Sequence, residues 1–412
     1  MCQGKYSLLI LSFSIIALCR VKELSAELLY SGRAQSLLYN YENLYSTTPS
    51  GEAEDNFRFY QCLRLNLKQR SEKSTLSFHT YLRVTDDFNV DYPDDPHWRL
   101  YNGYLKWDVR RASLTVGRQW IHLGPGSLTL DGANLSVGLA GKSKLTGYLG
   151  LESPYSRRFN FQGWEKARSG GLYFTTKAIR RLSLGVGWYQ KNRHGEVAFR
   201  DAGLNAKASL PGGWKLNSRL DVNLLEDKVQ KGLLRLRYQG HERIHFFGEY
   251  KHYQPRLFYQ SYFRRFKPKA NDQLRSGVTY FLTPTVTLNT TYSAVFFEDE
   301  NSGYLSLSAA CPHGWLTYYR GDGFGGNEHG FAVGATLPVR EKFELFADID
   351  YSRYRFYEAE DQDYLFSSIF GVNWRPCREV MAGVELQDLN NDTLSKDFRL
   401  LLKFAYNFSS AF

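Results

Sequence analysis

The sequence predicts an all-β chain, a transmembrane antiparallel up-and-down β-barrel of about 22 strands, within a range of roughly 18 to 22. Three observations point there. Segments of alternating apolar and polar residues recur along the whole chain. Short turns alternate with longer loops between them. The chain carries 29 Tyr, 28 Phe and 8 Trp, yet past the first residues it has no apolar run of helix-spanning length. Period two belongs to an extended strand, whose side chains point alternately to opposite faces. Aromatic residues favour strands and also membrane interfaces, where a ring with one wet end is at home.

The N-terminus, MCQGKYSLLILSFSIIALCRVKELSA, reads as a signal peptide over residues 1–26, with Lys5 ahead of an apolar run from Leu8 to Leu18 and small Ala26 before Glu27. That run is shorter than the about 20 residues a helix needs to cross a bilayer. Residues 27–412 then form a single barrel, because no Pro- or Ser-rich linker divides them. Cys62, Cys311 and Cys377 remain, with no Cys-x-x-Cys and no Cys-x-x-Cys-His, so neither a zinc ribbon nor covalent haem is encoded, and no metal or cofactor is expected. The formal charge of +10 suits anionic partners. An exported chain rarely meets nucleic acid, so none is expected as a partner.

The clearest strands come as hairpins. NFRFYQCLRLNLKQ places Phe57, Phe59, Leu63, Leu65 and Leu67 on one side, and after RSEK the run STLSFHTYLRV returns with Leu76, Phe78, Leu82 and Val84. AGLNAKASL and WKLNSRLDVNLL flank Pro211-Gly212-Gly213, and QLRSGVTYFL and TVTLNTTYSAVFF flank Thr283-Pro284. Further short turns fall near Arg110, Lys142, Arg180, His241, His313, Arg340 and Arg375; residues 85–97, 121–132, 153–168, 254–271, 321–328 and 356–363 read as the longer loops. An outer-membrane barrel shows this asymmetry, with short periplasmic turns and longer external loops. Three segments, 133–139, 144–152 and 196–210, alternate weakly and set the lower bound of the count.

The chain ends DFRLLLKFAYNFSSAF, with Phe398, Leu400, Leu402, Phe404, Tyr406 and Phe408 on one face and Arg399, Lys403 and Asn407 on the other. This end resembles the C-terminal targeting strand of bacterial outer-membrane barrels, in which alternating aromatics finish in Phe. The resemblance implies a Gram-negative outer membrane, contact with lipid and lipopolysaccharide, and Phe404, Tyr406, Phe408 and Phe412 as the signal read by the barrel-assembly machinery. Ser409-Ser410-Ala411 intervene before Phe412, a departure from the usual spacing. LYNGYLKWDVRRASLTVGRQWIHLGPGSLTLDG is similar to the Gly-Arg-Gln hairpin of porin-like and alginate-export-like barrels.

Strand phase predicts the lumen. Arg58, Arg64, Lys68, Arg83, Arg399 and Lys403 oppose apolar faces on the first strands and the last, which closure makes neighbours; Glu344, Asp348, Asp350 and Glu385 point inward shortly before the end. A basic wall would then adjoin an acidic one. Strict alternation from Leu114 and Val116 aims Arg118 at lipid, so a bulge at Gly117 is expected to return Arg118 to the pore. The stretch that follows, IHLGPGSLTLDGANLS, either folds inward and narrows the pore or forms an ordinary external loop. RLFYQSYFRRFKPK, with Arg256, Arg264, Arg265, Lys267 and Lys269, suits lipopolysaccharide phosphates. His79, His122, His194, His245 and His252 are scattered and no Gly-x-Ser-x-Gly or His-Glu-x-x-His occurs, so no enzyme is read. The expected function is a channel for small polar or anionic solutes. The alternatives are a scaffold sheathing a multihaem cytochrome partner, and an exopolysaccharide export pore.

Overall fold

A computed structural model describes residues 28–43, 54–89, 97–257, 269–324, 326–355, 361–391 and 397–410. The signal-peptide segment and Phe412 lie outside the described residues. The strands in chain order are β1 (Leu28–Asn43), β2 (Glu54–Arg70), β3 (Ser74–Asp87), β4 (Trp98–Val109), β5 (Ala112–Leu123), β6 (Gly126–Leu139) and β7 (Ser143–Glu152). A short helix α1 (Trp164–Ala167) leads into β8 (Arg168–Thr176), β9 (Leu182–Arg193), β10 (Glu196–Ser209), β11 (Trp214–Asn223), β12 (Lys228–Tyr238), β13 (Ile244–Tyr253) and β14 (Asn271–Phe281). Then come β15 (Thr287–Phe296), β16 (Asn301–Cys311), β17 (Gly314–Gly323), β18 (Asn327–Val339), β19 (Phe343–Arg355), β20 (Asp363–Trp374), β21 (Val380–Asn391) and β22 (Asp397–Ser409).

The 22 strands form one sheet in which β1 pairs with both β2 and β22. A closed sheet leaves no unpaired edge, so every strand finds partners for its backbone on both sides. At the seam Gly32 faces Phe408; a Cβ on Gly32 would stand 2.3 Å from the Phe408 ring, so only glycine leaves room for it. Pairing continues past Phe408, where Ser410 N–H donates to Tyr30 O at 2.9 Å. The three weakly alternating segments are full strands: they lie in β6, β7 and β10.

Residues paired across a ladder share a face, so the register carries one strand's phase to the next. Leu402 pairs with Val384 and with Leu38, and Val384 with Val372. Leu402, Val384 and Val372 are exposed, as are Leu345, Val333, Leu316, Leu288 and Leu274 further round. That apolar exposure is the outer face; in water it would be a fault, whereas lipid solvates it. The opposite phase faces the lumen and is polar or small. Both ends of the described chain, Leu28 and Ser410, sit with the short turns.

Two loop expectations need correction. Residues 321–328 are mostly strand, because β17 runs to Gly323 and β18 starts at Asn327. Residues 121–132 are not a long loop, because β5 runs to Leu123 and β6 starts at Gly126, which leaves Gly124-Pro125 as the whole connection. Glycine and proline in the sequence mark the turn, and the strands around it are long.

Candidate functional site: the lumen and its inward hairpin

The β5–β6 hairpin leaves the wall. Pairing of β4 with β5 stops at Gly103 and Arg118, and pairing of β6 with β7 stops at Leu130 and Glu152, while β5 and β6 stay paired with each other to the tip. Gly117 stands at the departure with φ of +124°, a left-handed value that side chains resist; a Cβ there would meet Gly103 O at 2.4 Å. The register on both sides of Gly117 is unbroken, so the expected bulge is instead a bend of the whole hairpin.

The tip lies inside the barrel. Arg219 Nη2 donates to Gly124 O at 2.9 Å, and Gly187 and Gly203 face the Pro125 ring so closely that a Cβ would stand 3.0 and 2.9 Å from its Cδ. Gly187, Gly203 and Arg219 alternate with Val186, Trp188, Leu204 and Leu220, which are exposed on the outer face. Bare glycines therefore make the floor on which the hairpin rests. Ile121, Leu128 and Leu130 pack on Tyr148, Tyr189 and Phe199, the inward side chains of β7, β9 and β10. Each fully buried aliphatic contributes about 1.5–3 kcal/mol. Trp120 and His122 turn away from this cluster and are exposed, Trp120 at 61%.

Arg118 does not line open space. Its side chain is 2% exposed and pairs bidentately with Asp131, itself 1% exposed: Nε donates to Oδ1 at 2.6 Å and Nη2 to Oδ2 at 2.8 Å. The remaining N–H groups donate to backbone carbonyls, Leu100 O at 3.2 Å, Arg158 O at 2.7 Å and Asn160 O at 3.2 Å. Where β5 parts from β4, the chain after β7 takes its place, and Leu100 N–H donates to Arg157 O at 2.8 Å. Arg118 ties these three segments together. The planar guanidinium is suited to it, offering five donors in a fixed fork.

A second arginine closes the space behind the hairpin. Arg256 pairs with Asp201, which is fully buried, and lies over the rings of Tyr189 and Phe199 at 5.5 and 4.9 Å. Burial pulls its pKa below the ordinary arginine value. This position corrects the expectation of a surface arginine facing lipopolysaccharide. Arg264, Arg265 and Lys267 lie outside the described residues, and Lys269 is exposed beside Glu298 and Asp299.

The predicted wall charges point inward by phase, but several are neutralised by a partner, and the described pair that joins the two predicted walls is Lys403 with Glu385. Lys403 pairs with Glu385, Arg399 with Asp397 and Tyr39, Arg58 with Asp87 at 3.1 Å, and Glu344 with Arg375 at 3.1 Å. Asp350 accepts from Tyr319 Oη at 2.7 Å, and Asp348 stands on the same strand two residues away. Among the predicted wall arginines, those described with rings as neighbours are Arg64 of β2 and Arg83 of β3. The Arg64 guanidinium lies 4.5 Å from the Tyr81 ring, and Arg83 lies between Tyr60 and Tyr101 at 5.5 and 5.3 Å. Arg33 faces Arg64 across the ladder, and Lys68 continues the row toward the short turns. The sequence reading missed Arg33 and a second basic arc on β11 to β14, with Arg219, Lys231, Lys251 and Arg275. The same phase rule exposes them, since WKLNSRLDVN and KGLLRLRY alternate as plainly as β2 does. Of the aromatic end signal, Phe404 faces outward at 47% exposure and Tyr406 and Phe408 are half-buried.

A sheet without edges, greasy outside and charged within, defines a class: a porin-like transmembrane β-barrel. Solved structures of similar shape are bacterial porins. The chain is similar to OccAB4 of Acinetobacter baumannii, with a TM-score of 0.47, 12% identity, and coverage of 94% of this chain and 100% of that one. It is similar to OpdK of Pseudomonas aeruginosa at a TM-score of 0.47 and 10% identity, over 93% and 98% of the two chains. A BenF-like porin from Pseudomonas fluorescens Pf-5 gives 0.44 and 11%, over 93% and 99%. No family model matches the chain, and no curated protein matches it in sequence.

Proposed function

We propose that the protein is a bacterial outer-membrane channel that passes small polar or anionic solutes through a lumen narrowed by the β5–β6 hairpin. The observation that carries this reading is the arginine patch of β1 to β3: Arg33, Arg64 and Arg83 stand side by side on the lumen face, with tyrosine rings against Arg64 and Arg83. Positive charge in a confined aqueous path concentrates anions, and the effect weakens as salt screens it. The chain would be exported by a cleaved signal peptide and inserted by the assembly machinery through its aromatic last strand. It would carry no catalytic machinery.

Single-channel recordings in a salt gradient test this. The parent should conduct and its reversal potential should favour chloride; the R33Q/R64Q/R83Q variant should favour it less. A parent that does not conduct overturns the channel reading.

The tyrosines of the same patch favour a second reading, export of an acidic polysaccharide. Ring faces pack on sugars while guanidiniums take carboxylates bidentately. Block of the chloride current by micromolar polyuronate oligomers would favour it over passive diffusion. The cytochrome-sheath alternative needs a free lumen, and the docked hairpin takes part of that space.

A further inference from the structure

Below the hairpin tip, toward the short-turn mouth, the lumen side of β9 to β12 holds a cavity of about 640 Å³. Four of its lining residues, Lys142, Lys177, Arg180 and Arg181, come from the turns after β6 and β8. Four more, Lys207, Lys215, Arg235 and Arg237, come from β10, β11 and β12. No carboxylate lines it. Of the eight, the described ion pairs include only Arg235, with Glu249.

The side chains are placed by register. Lys207, Asn217 and Arg235 share one cross-strand row, and Ser209, Lys215 and Arg237 the next. Both rows have the phase of Arg219, which reaches the hairpin tip, so they face the lumen. The turns at that mouth are stitched to the strands and to each other: Lys177 N–H donates to Lys142 O at 3.3 Å, and Ser209 N–H to Arg181 O at 2.9 Å. Lys142 and Arg181 have φ of +57° and +65°, a region that favours glycine or asparagine. The sequence puts cations there instead. The neighbouring turn groove shows that this is not a property of the whole rim, because there Glu72 and Asp108 stand among Lys73, Arg110, Arg111 and Lys144.

We propose that this cavity is a binding site for a small soluble multivalent anion bearing phosphate groups, a station on the periplasmic side of the constriction. Seven like charges beside the paired Arg235 repel one another unless a counter-ion occupies the cavity, and arginines on the turn after β8 and on β12 offer bidentate donors to phosphate oxygens from two sides. The proposal deepens the channel reading in naming a ligand class, but binding at this site does not depend on conduction.

The test is titration of pyrophosphate into the detergent-solubilised full chain at low salt, beside K207Q/R237Q and a control, K73Q/R110Q, that removes the same charge from the neighbouring rim. The parent should bind one equivalent saturably, K207Q/R237Q should weaken binding by about tenfold or more, and the control should leave it unchanged. Absence of saturable binding, or equal loss in both variants, overturns the site and leaves only diffuse surface charge. Binding of phosphatidylglycerol vesicles without pyrophosphate would assign the cavity to a lipid headgroup and overturn the soluble ligand. Reversal potentials on the same preparations separate the two readings: anion selectivity without pyrophosphate binding sinks this inference alone, and binding without anion selectivity sinks the channel's selectivity alone.

Discussion

The wall from β7 to β11 and the wall from β14 to β20 have the same outer face and opposite interiors. Outside, both present alternating Leu, Val, Phe and Trp. Inside, the first carries glycines, tyrosines and a docked hairpin, whereas β15 and β16 show Asn289, Thr291, Ser293, Ser306 and Ser308 to the lumen. The large buried apolar side chains gather under the hairpin; in the other wall the buried apolar residues described are Ala294 and Ala332. A single sheet in lipid needs no inner core, because the bilayer and the backbone ladder hold it. The hairpin is different. It has left the ladder on both flanks, β5 from β4 and β6 from β7, so protein packing and one buried arginine must hold it.

That contrast predicts where inner-face changes matter. Replacing Ile121 and Leu130 by Asp puts two unpaired carboxylates into the cluster, which costs several kcal/mol and should undock the hairpin. Conductance in planar bilayers should rise by about twofold or more if the hairpin sets the narrowest point. Unchanged conductance would show that the constriction lies elsewhere.

Arg118→Ala should cost about 3–5 kcal/mol, because it strands the buried Asp131 carboxylate as well as the backbone carbonyls that accept from the guanidinium. The lowered temperature at which the folded band is lost on gels would measure it, and R118A/D131A should recover part of the loss. An R118A band as heat-resistant as the parent's would mean that the hairpin is held without the pair.

Gly203→Val tests the glycine floor. A side chain there meets Pro125, at a cost of about 1–3 kcal/mol and with noisier open-channel current as the tip is lifted. Gly248→Ala is the matched control, since a Cβ there meets nothing within 4 Å, and it should stay within about 0.5 kcal/mol of the parent. The smallest effect is expected in the open wall. Asp348→Asn should leave thermal stability unchanged and shift the reversal potential slightly toward anions; a clear loss of stability would show that Asp348 is held by inner-face contacts.

Strand number and phase were legible in the sequence because period two is a local property that lipid enforces on every strand. Leu402 is outward and Lys403 inward whatever the rest of the chain does. The weakly alternating segments 133–139, 144–152 and 196–210 left the count open between about 18 and 22, and the structure makes each a strand, in β6, β7 and β10. Glycines of β8 to β10, Gly171, Gly185, Gly187 and Gly203, mark where something else approaches the wall, a signal that says close contact without saying with what.

By itself the sequence determined the barrel, the outer face and the residues whose phase is inward. It left two options for the IHLGPGSLTLDGANLS stretch and expected Arg118 in the pore. Tertiary structure decided both. Arg118 is buried because Asp131, Leu100, Arg158 and Asn160 converge on it from separate segments, and no period along one strand encodes that meeting. The same holds for charge: Lys403 and Glu385 lie 18 residues apart and neutralise each other, while Arg64 and Arg83 meet rings. Phase is set within a strand by backbone geometry, whereas pairing is set across strands by register, and register exists only once the sheet has closed.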